Sequence, residues 1–252
     1  MSDFNRDYPR PAPQAGAADM AVDAGLRAFM LGVYNKVGLG LLISAALAYV
    51  TSSVPAVRDL LFQQVMTTRG LAETYTLLGW VVAIAPLPVL LLGRLAFRQS
   101  PRSSGIVYWS VVALFGASLG IWALLYTGAS IFMTFLITSA AFGSLSLVGY
   151  TTKRDLTGLG SFLMIGLVGL IIAMFVSVFF ATPGMQFVIN VIGVLIFAGL
   201  IAYNTQRLKL TYYQLGGDQA AMSVATNYGA LSLYLDFLNL FLFLLRLTGA
   251  RR

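Results

Sequence analysis

The sequence contains no cysteine and no histidine, and only 10% of its residues are charged. The lack of cysteine excludes disulfide bonds and thiolate metal sites. The lack of histidine removes the side chain that most often changes its charge near neutral pH, so carboxyl groups have to carry any response to protons. Intramembrane metalloproteases and thiol enzymes are therefore not expected, and a serine nucleophile would lack its usual base.

Other catalytic and cofactor signatures are missing as well. GxGxxG and P-loop motifs are absent, and the last apolar segment has no lysine to which retinal could be attached. An intramembrane aspartyl protease needs two carboxylates within the membrane, whereas the apolar segments here hold one, that of Asp236. We therefore expect a protein without catalytic activity and without a cofactor, which acts in transport, sensing or regulation.

Apolar residues dominate the composition. They make up 58% of the chain, and the mean hydropathy is +0.83. A soluble domain usually has about 25% charged residues, so this composition indicates an integral membrane protein. The apolar runs are continuous rather than alternating, which favours helices over a β-barrel. The sequence therefore predicts an all-α integral membrane protein.

Seven apolar segments can be distinguished, and each approaches or reaches the length of about 20 residues that a helix needs to cross a bilayer. They run from about Phe29 to Val50, Thr74 to Leu92, Ile106 to Tyr126, Ile131 to Gly149, Gly160 to Phe180, Met185 to Tyr203, and Ser223 to Leu247. Residues 29–249 are thus predicted to form one transmembrane domain, in which Thr51 to Glu73 is a loop.

Three local features lie inside these segments. Pro86 and Pro88 should kink the second segment, because proline cannot donate the helical hydrogen bond. Gly116 and Gly120 form a small-residue pair that lets a neighbouring helix approach closely. Lys36 lies one to two turns inside the first segment and is expected to reach back to the interface as an anchor.

The polar stretch of residues 1–28 precedes the first segment. Its three prolines and several alanines predict a disordered tail, and it lacks the features of a signal peptide or a mitochondrial transit peptide. Lys and Arg residues are more frequent on the side of the membrane that holds this tail, so the amino terminus is predicted to be cytoplasmic. The net charge of +7 is attributed to loops that meet anionic lipid rather than to nucleic-acid binding.

The last segment allows two interpretations. Its length and continuity favour a helix that spans the bilayer. If it re-enters instead, Arg246, Arg251 and Arg252 return to the cytoplasmic side, and the bias of positive charge becomes stronger. We favour the span.

Asp236 lies near the middle of this last segment. A carboxylate at that depth costs roughly 2.5–3.5 kcal/mol on insertion scales, so it should face the interior of the bundle and have a partner. Asn204 and Asn239 are candidate polar neighbours, whereas Arg246 is ten residues away, about 15 Å along a helix. The alternative is that Asp236 only joins two helices by a hydrogen bond.

A buried acid of this kind can bind a proton or a hard cation such as Ca²⁺, which prefers oxygen ligands. One carboxylate supplies few of the oxygen ligands that Ca²⁺ needs, so a proton is the preferred prediction for the ligand. Asp236, Asn204, Arg246 and Asn239 are accordingly the predicted residues of an ion or proton gate, and Asp236 is a weak candidate for a Ca²⁺ ligand.

Three stretches resemble the Bax inhibitor-1 family, also called the transmembrane Bax inhibitor motif family. The strongest is the run from Ser232 to Phe241 (SLYLDFLNLF), which Leu244-Leu245-Arg246 follows. The other two are Gly149 to Leu156 (GYTTKRDL) and Ala202 to Gln206 (AYNTQ). The resemblance covers about Phe29 to Gly249 and identifies the chain as a bacterial member of this family.

The resemblance implies a bundle of seven transmembrane helices, with the last one central. It also implies a pH-sensitive Ca²⁺ leak, in which two aspartates on the sixth and seventh helices share a proton and latch the pore. Asp236 corresponds to the second aspartate, whereas Asn204 replaces the first. An asparagine cannot ionise, so we expect a pH response that is weakened or shifted to lower pH, and a reduced affinity for Ca²⁺.

The resemblance also supports an alternative function, because other bacterial relatives bind and restrain a membrane-bound ATP-dependent protease of the quality-control system. The polar tail would then be the contact with the protease. A third, weaker alternative is a proton-coupled solute carrier, although we see no inverted internal repeat. The location implied in each case is the bacterial inner membrane.

Overall fold

The computed structural model describes residues 15–67, 70–95, 100–180 and 182–252. These ranges form ten helices and one antiparallel pair of strands. The helices are α1 (Ala15–Ser53), α2 (Pro55–Leu61), α3 (Leu77–Ile84), α4 (Pro86–Leu95), α5 (Pro101–Ser118), α6 (Gly120–Leu125), α7 (Gly128–Thr151), α8 (Thr157–Phe179), α9 (Pro183–Gln214) and α10 (Gln219–Thr248). The strands are β1 (Phe62–Thr67) and β2 (Gly70–Tyr75).

Six of the described helical stretches are long and apolar enough to cross a membrane. They are Ala24–Ser53, Pro101–Leu125, and the helices α7, α8, α9 and α10. The stretch Leu77–Gly93 is apolar but shorter. The prediction of a helical integral membrane protein is therefore confirmed.

The second apolar segment is interrupted at the place where its prolines predicted a kink. The helix α3 ends at Ile84, Ala85 follows, and α4 begins at Pro86. Since Pro86 has no backbone N–H, it cannot continue the hydrogen bonds of α3. The side chain of Thr76 accepts a hydrogen bond from the Gly79 backbone N–H and thereby caps the start of α3.

The first helix begins earlier than predicted. The prediction of a disordered tail over residues 1–28 is wrong for residues 15–28, which belong to α1. Alanine is frequent in this stretch, and it is the best helix former, so the helix extends beyond the apolar segment. Residues 1–14 lie outside the described part of the chain.

The loop predicted over Thr51 to Glu73 contains a hairpin. Strands β1 and β2 pair antiparallel, with Phe62 opposite Tyr75 and Thr67 opposite Gly70. The rings of Phe62 and Tyr75 lie 5.5 Å apart between their centroids, which anchors the hairpin next to α6. The loop prediction is therefore wrong here.

The helices α1 and α5 run parallel in close contact. The Tyr108 hydroxyl donates to the Lys36 carbonyl, and the Ser44 hydroxyl donates to the Val112 carbonyl one to two turns further along both helices. A Cβ added at Gly116 would lie 2.7 Å from the Cα of Ser44. The predicted close approach of a neighbouring helix at the small-residue pair is confirmed, and this neighbour is α1.

The carboxyl-terminal end of α10 meets the turn between α6 and α7. The backbone N–H of Arg252 donates to the Leu125 carbonyl, and the N–H of Thr127 donates to the Ala250 carbonyl. The helix α7 leads from this turn to the opposite end of the bundle, where the α9–α10 turn lies near the start of α1. Since α10 runs without a break from one end to the other, the geometry favours the spanning interpretation over re-entry.

Candidate functional site

Asp236 lies on α10 and faces α9. Its residue is only 5% exposed, and its Oδ2 accepts a hydrogen bond of 2.6 Å from Nδ2 of Asn204. The salt bridge found among the described residues joins Arg58 and Asp59 at the surface, so Asp236 is held by hydrogen bonding rather than by an ion pair. The structure thus brings together two of the four predicted gate residues.

The connection between α9 and α10 makes these helices antiparallel neighbours. Gly216 and Gly217 have positive φ angles of 56° and 90°, which glycine adopts without strain. The Asp218 carboxylate then accepts hydrogen bonds from the backbone N–H groups of Ala220 and Ala221 and caps α10. Asx capping and glycine turns are local signals, so the sequence specifies this hairpin directly.

Packing on both sides of the Asn204–Asp236 contact fixes the register of the two helices. Towards one end, the rings of Phe197 and Phe243 stack with their centroids 5.8 Å apart. Towards the other end, Leu208 packs over Gly229, where a larger residue would have no room. These contacts place position 204 opposite position 236.

The three stretches that carry the family resemblance meet on α9. The backbone of α7 at Gly149 lies directly against that of α9 at Ala202. The Gln206 side chain donates to the Arg154 carbonyl at 2.7 Å and accepts from the Leu156 N–H at 2.8 Å. Together with Asn204, these residues connect α9 to the loop after α7 and to α10.

The loop that Gln206 holds also begins α8. The Asp155 carboxylate accepts hydrogen bonds from the hydroxyl and the backbone N–H of Thr157. These two bonds stabilise the ionised form, so the pKa of Asp155 is lowered from its ordinary value. Asp155 is therefore a helix-capping anion at the surface and not a second acid for the buried site.

The other two predicted gate residues do not contact Asp236. The Asn239 side chain donates to the Leu235 carbonyl of its own helix, at 2.8 Å. The Arg246 guanidinium lies over the ring of Trp122, 4.9 Å from its centroid, and 5.6 Å from the centroid of Phe243. The Asn239 amide is thus hydrogen-bonded within α10, and Arg246 connects the carboxyl-terminal end of α10 to α6.

The family model described as "Inhibitor of apoptosis-promoting Bax1" matches residues 26–252. The chain belongs to the Bax inhibitor-1 family. The match begins within α1 and covers the α9–α10 contact and all three resembling stretches. Nearly all of the polar tail predicted over residues 1–28 lies outside the match.

Curated relatives cover most of the chain. An uncharacterized protein of Caulobacter vibrioides is 60% identical, with 100% of both chains covered. An uncharacterized protein of Rickettsia prowazekii is 42% identical, over 91% of this chain and 92% of the relative. The Escherichia coli protein named inner membrane protein YbhL is 38% identical, over 91% of this chain and 94% of the relative.

This Bax inhibitor-1 family member has a second polar cluster, on the opposite face of α10. Lys36 Nζ donates to the Asn227 side-chain carbonyl, and Asn227 Nδ2 donates to the Ser104 hydroxyl at 2.8 Å. Lys36 is therefore half-buried and points between α1, α5 and α10. Its assignment as an interfacial anchor stays a prediction. Asn227 is a polar residue within the last apolar segment, and this was the sequence signal that could have identified the cluster.

Loss of Arg246 from this protein should lower stability and leave the Asp236 site intact. Arg246→Gln removes a cation–π contact worth about 1 kcal/mol, and for a chain of this size the melting temperature should fall by roughly 2–4 °C. Thermal unfolding of the purified protein in detergent measures this shift. The matched control is Arg207→Gln, since Arg207 is exposed on α9. Equal melting temperatures for the two variants would show that the ring contact does not stabilise the protein.

Proposed function

We propose that this Bax inhibitor-1 family member is a pH-modulated Ca²⁺ leak pathway of the bacterial inner membrane, gated at the Asn204–Asp236 contact. In this proposal the stretch Leu77–Gly93 completes a set of seven membrane segments, with α10 at the centre and the amino terminus in the cytoplasm. The chain is not an enzyme in this proposal and needs no cofactor. The observation that carries the proposal is a buried carboxylate joined to a neighbouring helix by one side chain.

The position of Asp236 supports a gate. A carboxylate this deep in a membrane protein is expensive, and such residues commonly mark ion or proton pathways. Its hydrogen bond with Asn204 ties α10 to α9, so separation of these two helices would expose the carboxylate to water. Such a contact has two discrete arrangements, formed and broken, which is what a gate requires.

The oxygen atoms near this contact fit a weak cation site. Asn204 supplies an amide oxygen beside the Asp236 carboxylate. Within the part of the chain that the structure describes, no three acidic side chains lie together as they would in a dedicated metal site. A single carboxylate with a neutral amide oxygen favours passage of Ca²⁺ over tight retention.

Ca²⁺ flux into dye-loaded proteoliposomes tests the proposal. Asp236→Asn keeps the size of the side chain and its hydrogen bonding but removes the negative charge. We expect flux through the native protein and a reduction of about ten-fold in the variant, which corresponds to about 1.4 kcal/mol of lost cation stabilisation. Asn239→Ala is the matched control, because Asn239 bonds only within α10 among the described contacts, and its flux should equal that of the native protein.

Two results would contradict the proposal. The first is the absence of Ca²⁺ flux through the native protein, beyond that of protein-free liposomes, at any pH. The second is equal flux through the native protein and Asp236→Asn. Release of an encapsulated neutral dye has to stay at the background level in all samples, since this shows that the bilayers are intact.

The restraint of an ATP-dependent protease stays a prediction from the family resemblance. Half of the tail that would make the contact, residues 1–14, lies outside the described residues. The gate is favoured because the other two resembling stretches contact α9, the helix whose Asn204 holds Asp236.

A further inference from the structure

A groove lies between α1 and α7, away from the Asn204–Asp236 contact. It has a volume of about 430 Å³. Its walls are mainly apolar and include Met30 and Leu31 of α1, and Phe142, Gly143 and Leu147 of α7. Leu31 and Leu147 are 51% and 62% exposed, so the groove opens sideways to the bilayer.

The two helices that form the groove are antiparallel. The helix α1 runs parallel to α5, and α7 turns back directly after α6, with Thr127 as its cap. At the deep end of the groove, the rings of Tyr34 and Phe142 meet edge to face, with their centroids 6.3 Å apart. Arg27 and Tyr150 lie seven and eight residues from these rings, so they flank the other end, about 10–12 Å away.

Positive charge is concentrated at this other end. Arg27 is exposed and has no hydrogen bond or ion pair with the residues that the structure describes. Lys209 of α9 lies next to Tyr150 at this end of the groove, where its Nζ donates to the Tyr150 carbonyl at 3.1 Å. An ammonium group has three donors, so Lys209 retains further donors for an anion.

The wall of the groove also contains an unsatisfied polar atom. Ser146 is 5% exposed, and its hydroxyl has no hydrogen-bond partner among the described residues. A buried hydroxyl normally has a partner, because leaving it unpaired costs about 1–3 kcal/mol. The Ser146 Oγ is itself covered by protein, so a change of χ1 rotamer would bring it to an acceptor oxygen of a groove occupant.

We propose that the groove binds one anionic phospholipid, with its phosphate at Arg27 and one acyl chain between α1 and α7. The apolar walls match the acyl chain, the cations match the headgroup, and the Ser146 hydroxyl matches an ester oxygen of the glycerol. A neighbouring helix does not fit, because a 10 Å length of helix occupies roughly 800 Å³. The binding is independent of Ca²⁺ conduction.

Photocrosslinking in nanodiscs tests the proposal. The protein is embedded in phosphatidylcholine with a minor share of phosphatidylglycerol that carries a diazirine on its acyl chain, and the labelled peptides are mapped by mass spectrometry. The exposed helix α8 reports contact with bulk lipid. We expect several-fold more label on the groove peptides of α1 and α7 than on α8, with competition by unlabelled phosphatidylglycerol but not by added phosphatidylcholine.

Two pairs of variants locate the binding. Gly143→Leu fills the groove without a clash, since a Cβ at Gly143 meets no atom within 4 Å, and it should abolish the excess label. At Gly169 on α8, an added Cβ likewise meets no atom within 4 Å, and Gly169→Leu should retain the excess label. Arg27→Gln should lower the excess about five-fold, as expected for one basic residue at an anionic membrane surface, whereas Arg207→Gln should not.

Three results would overturn the proposal. They are equal labelling of the groove and α8, equal competition by both lipids, and an excess that survives Gly143→Leu. Equal melting temperatures of Gly143→Leu and Gly169→Leu in detergent show that a loss of label does not come from unfolding.

Discussion

Asn204→Asp is expected to make Ca²⁺ flux through this protein depend steeply on pH, where the native protein responds weakly. In the native contact, the Asn204 amide donates to the Asp236 carboxylate at 2.6 Å. An amide does not titrate, so this bond does not need a shared proton. In the variant, two carboxyl groups lie at that distance and cannot both be charged, so they share one proton.

The sign of the effect follows from this shared proton. As pH rises, the pair loses the proton, the two negative charges repel each other, and α9 and α10 separate. Flux should therefore increase with pH, by about ten-fold between acidic and mildly alkaline buffers, which corresponds to a shift of about 1.4 kcal/mol between closed and open states. The measurement is the same liposome assay, carried out over a series of pH values.

Asn190→Asp is the matched control for this variant. Asn190 is also buried on α9, but it lies about 20 Å along the helix from Asn204. A new carboxyl group there has no aspartate opposite it in the register that the contacts of α9 and α10 define. If both variants gained the same pH dependence, the response would come from added buried acid in general and not from the contact with Asp236.

Gly149→Val is expected to produce the largest loss of stability. A Cβ at this position would lie 2.9 Å from the carbonyl carbon and 3.0 Å from the Cα of Ala202. Both are backbone atoms, so no change of rotamer can relieve the clash, and α9 has to move away from α7. We expect a loss of about 3 kcal/mol, the upper end of ordinary overpacking, and a melting temperature lower by roughly 10 °C.

Gly143→Val is the control for the Gly149 variant, because it makes the same change in the same helix. A Cβ at Gly143 meets no other atom within 4 Å, and valine has a higher helix propensity than glycine, so this variant should not lose stability. Thermal unfolding in lipid-free detergent compares the two. Similar melting temperatures would mean that the close approach of α7 and α9 is not required for the fold. A shift confined to Gly149→Val would show that the close approach of α7 and α9 at Ala202 stabilises the fold.

Hydropathy located the membrane segments but not the ends of the helices. The sixth apolar segment was predicted to end at Tyr203, yet α9 continues to Gln214. Helical hydrogen bonding does not require apolar side chains, so a helix can leave the membrane and continue. The same reasoning explains why α1 begins at Ala15, well before the first apolar segment.

Features that depend on long-range pairing were the ones that sequence reasoning missed. The partner of Lys36 is Asn227, and the β1–β2 hairpin packs its aromatic rings next to α6. Neither feature has a local periodicity, because each depends on residues brought together by the folded chain. Pro86, by contrast, acts on its own helix, and its effect was predictable for that reason.

The candidate site was predictable only in part. Asp236 could be identified from the sequence alone, because an acidic side chain inside an apolar segment is energetically costly in a membrane. Asn204 and Asn239 were both candidate neighbours from the sequence, and the family resemblance singled out position 204 as the partner of Asp236. The structure also separates Asn239 and Arg246 from the contact, which helical position alone did not decide.

The most direct test of the gate is an exchange of the two residues across the contact. The double variant Asn204→Asp with Asp236→Asn keeps one carboxylate and one amide at the same place, but the charge comes from α9. If the contact itself controls Ca²⁺ passage, flux through the double variant should return to near the native level, well above that of Asp236→Asn alone. Flux that stays at the level of Asp236→Asn would contradict the account, because it would show that the contact between α9 and α10 is not the gate.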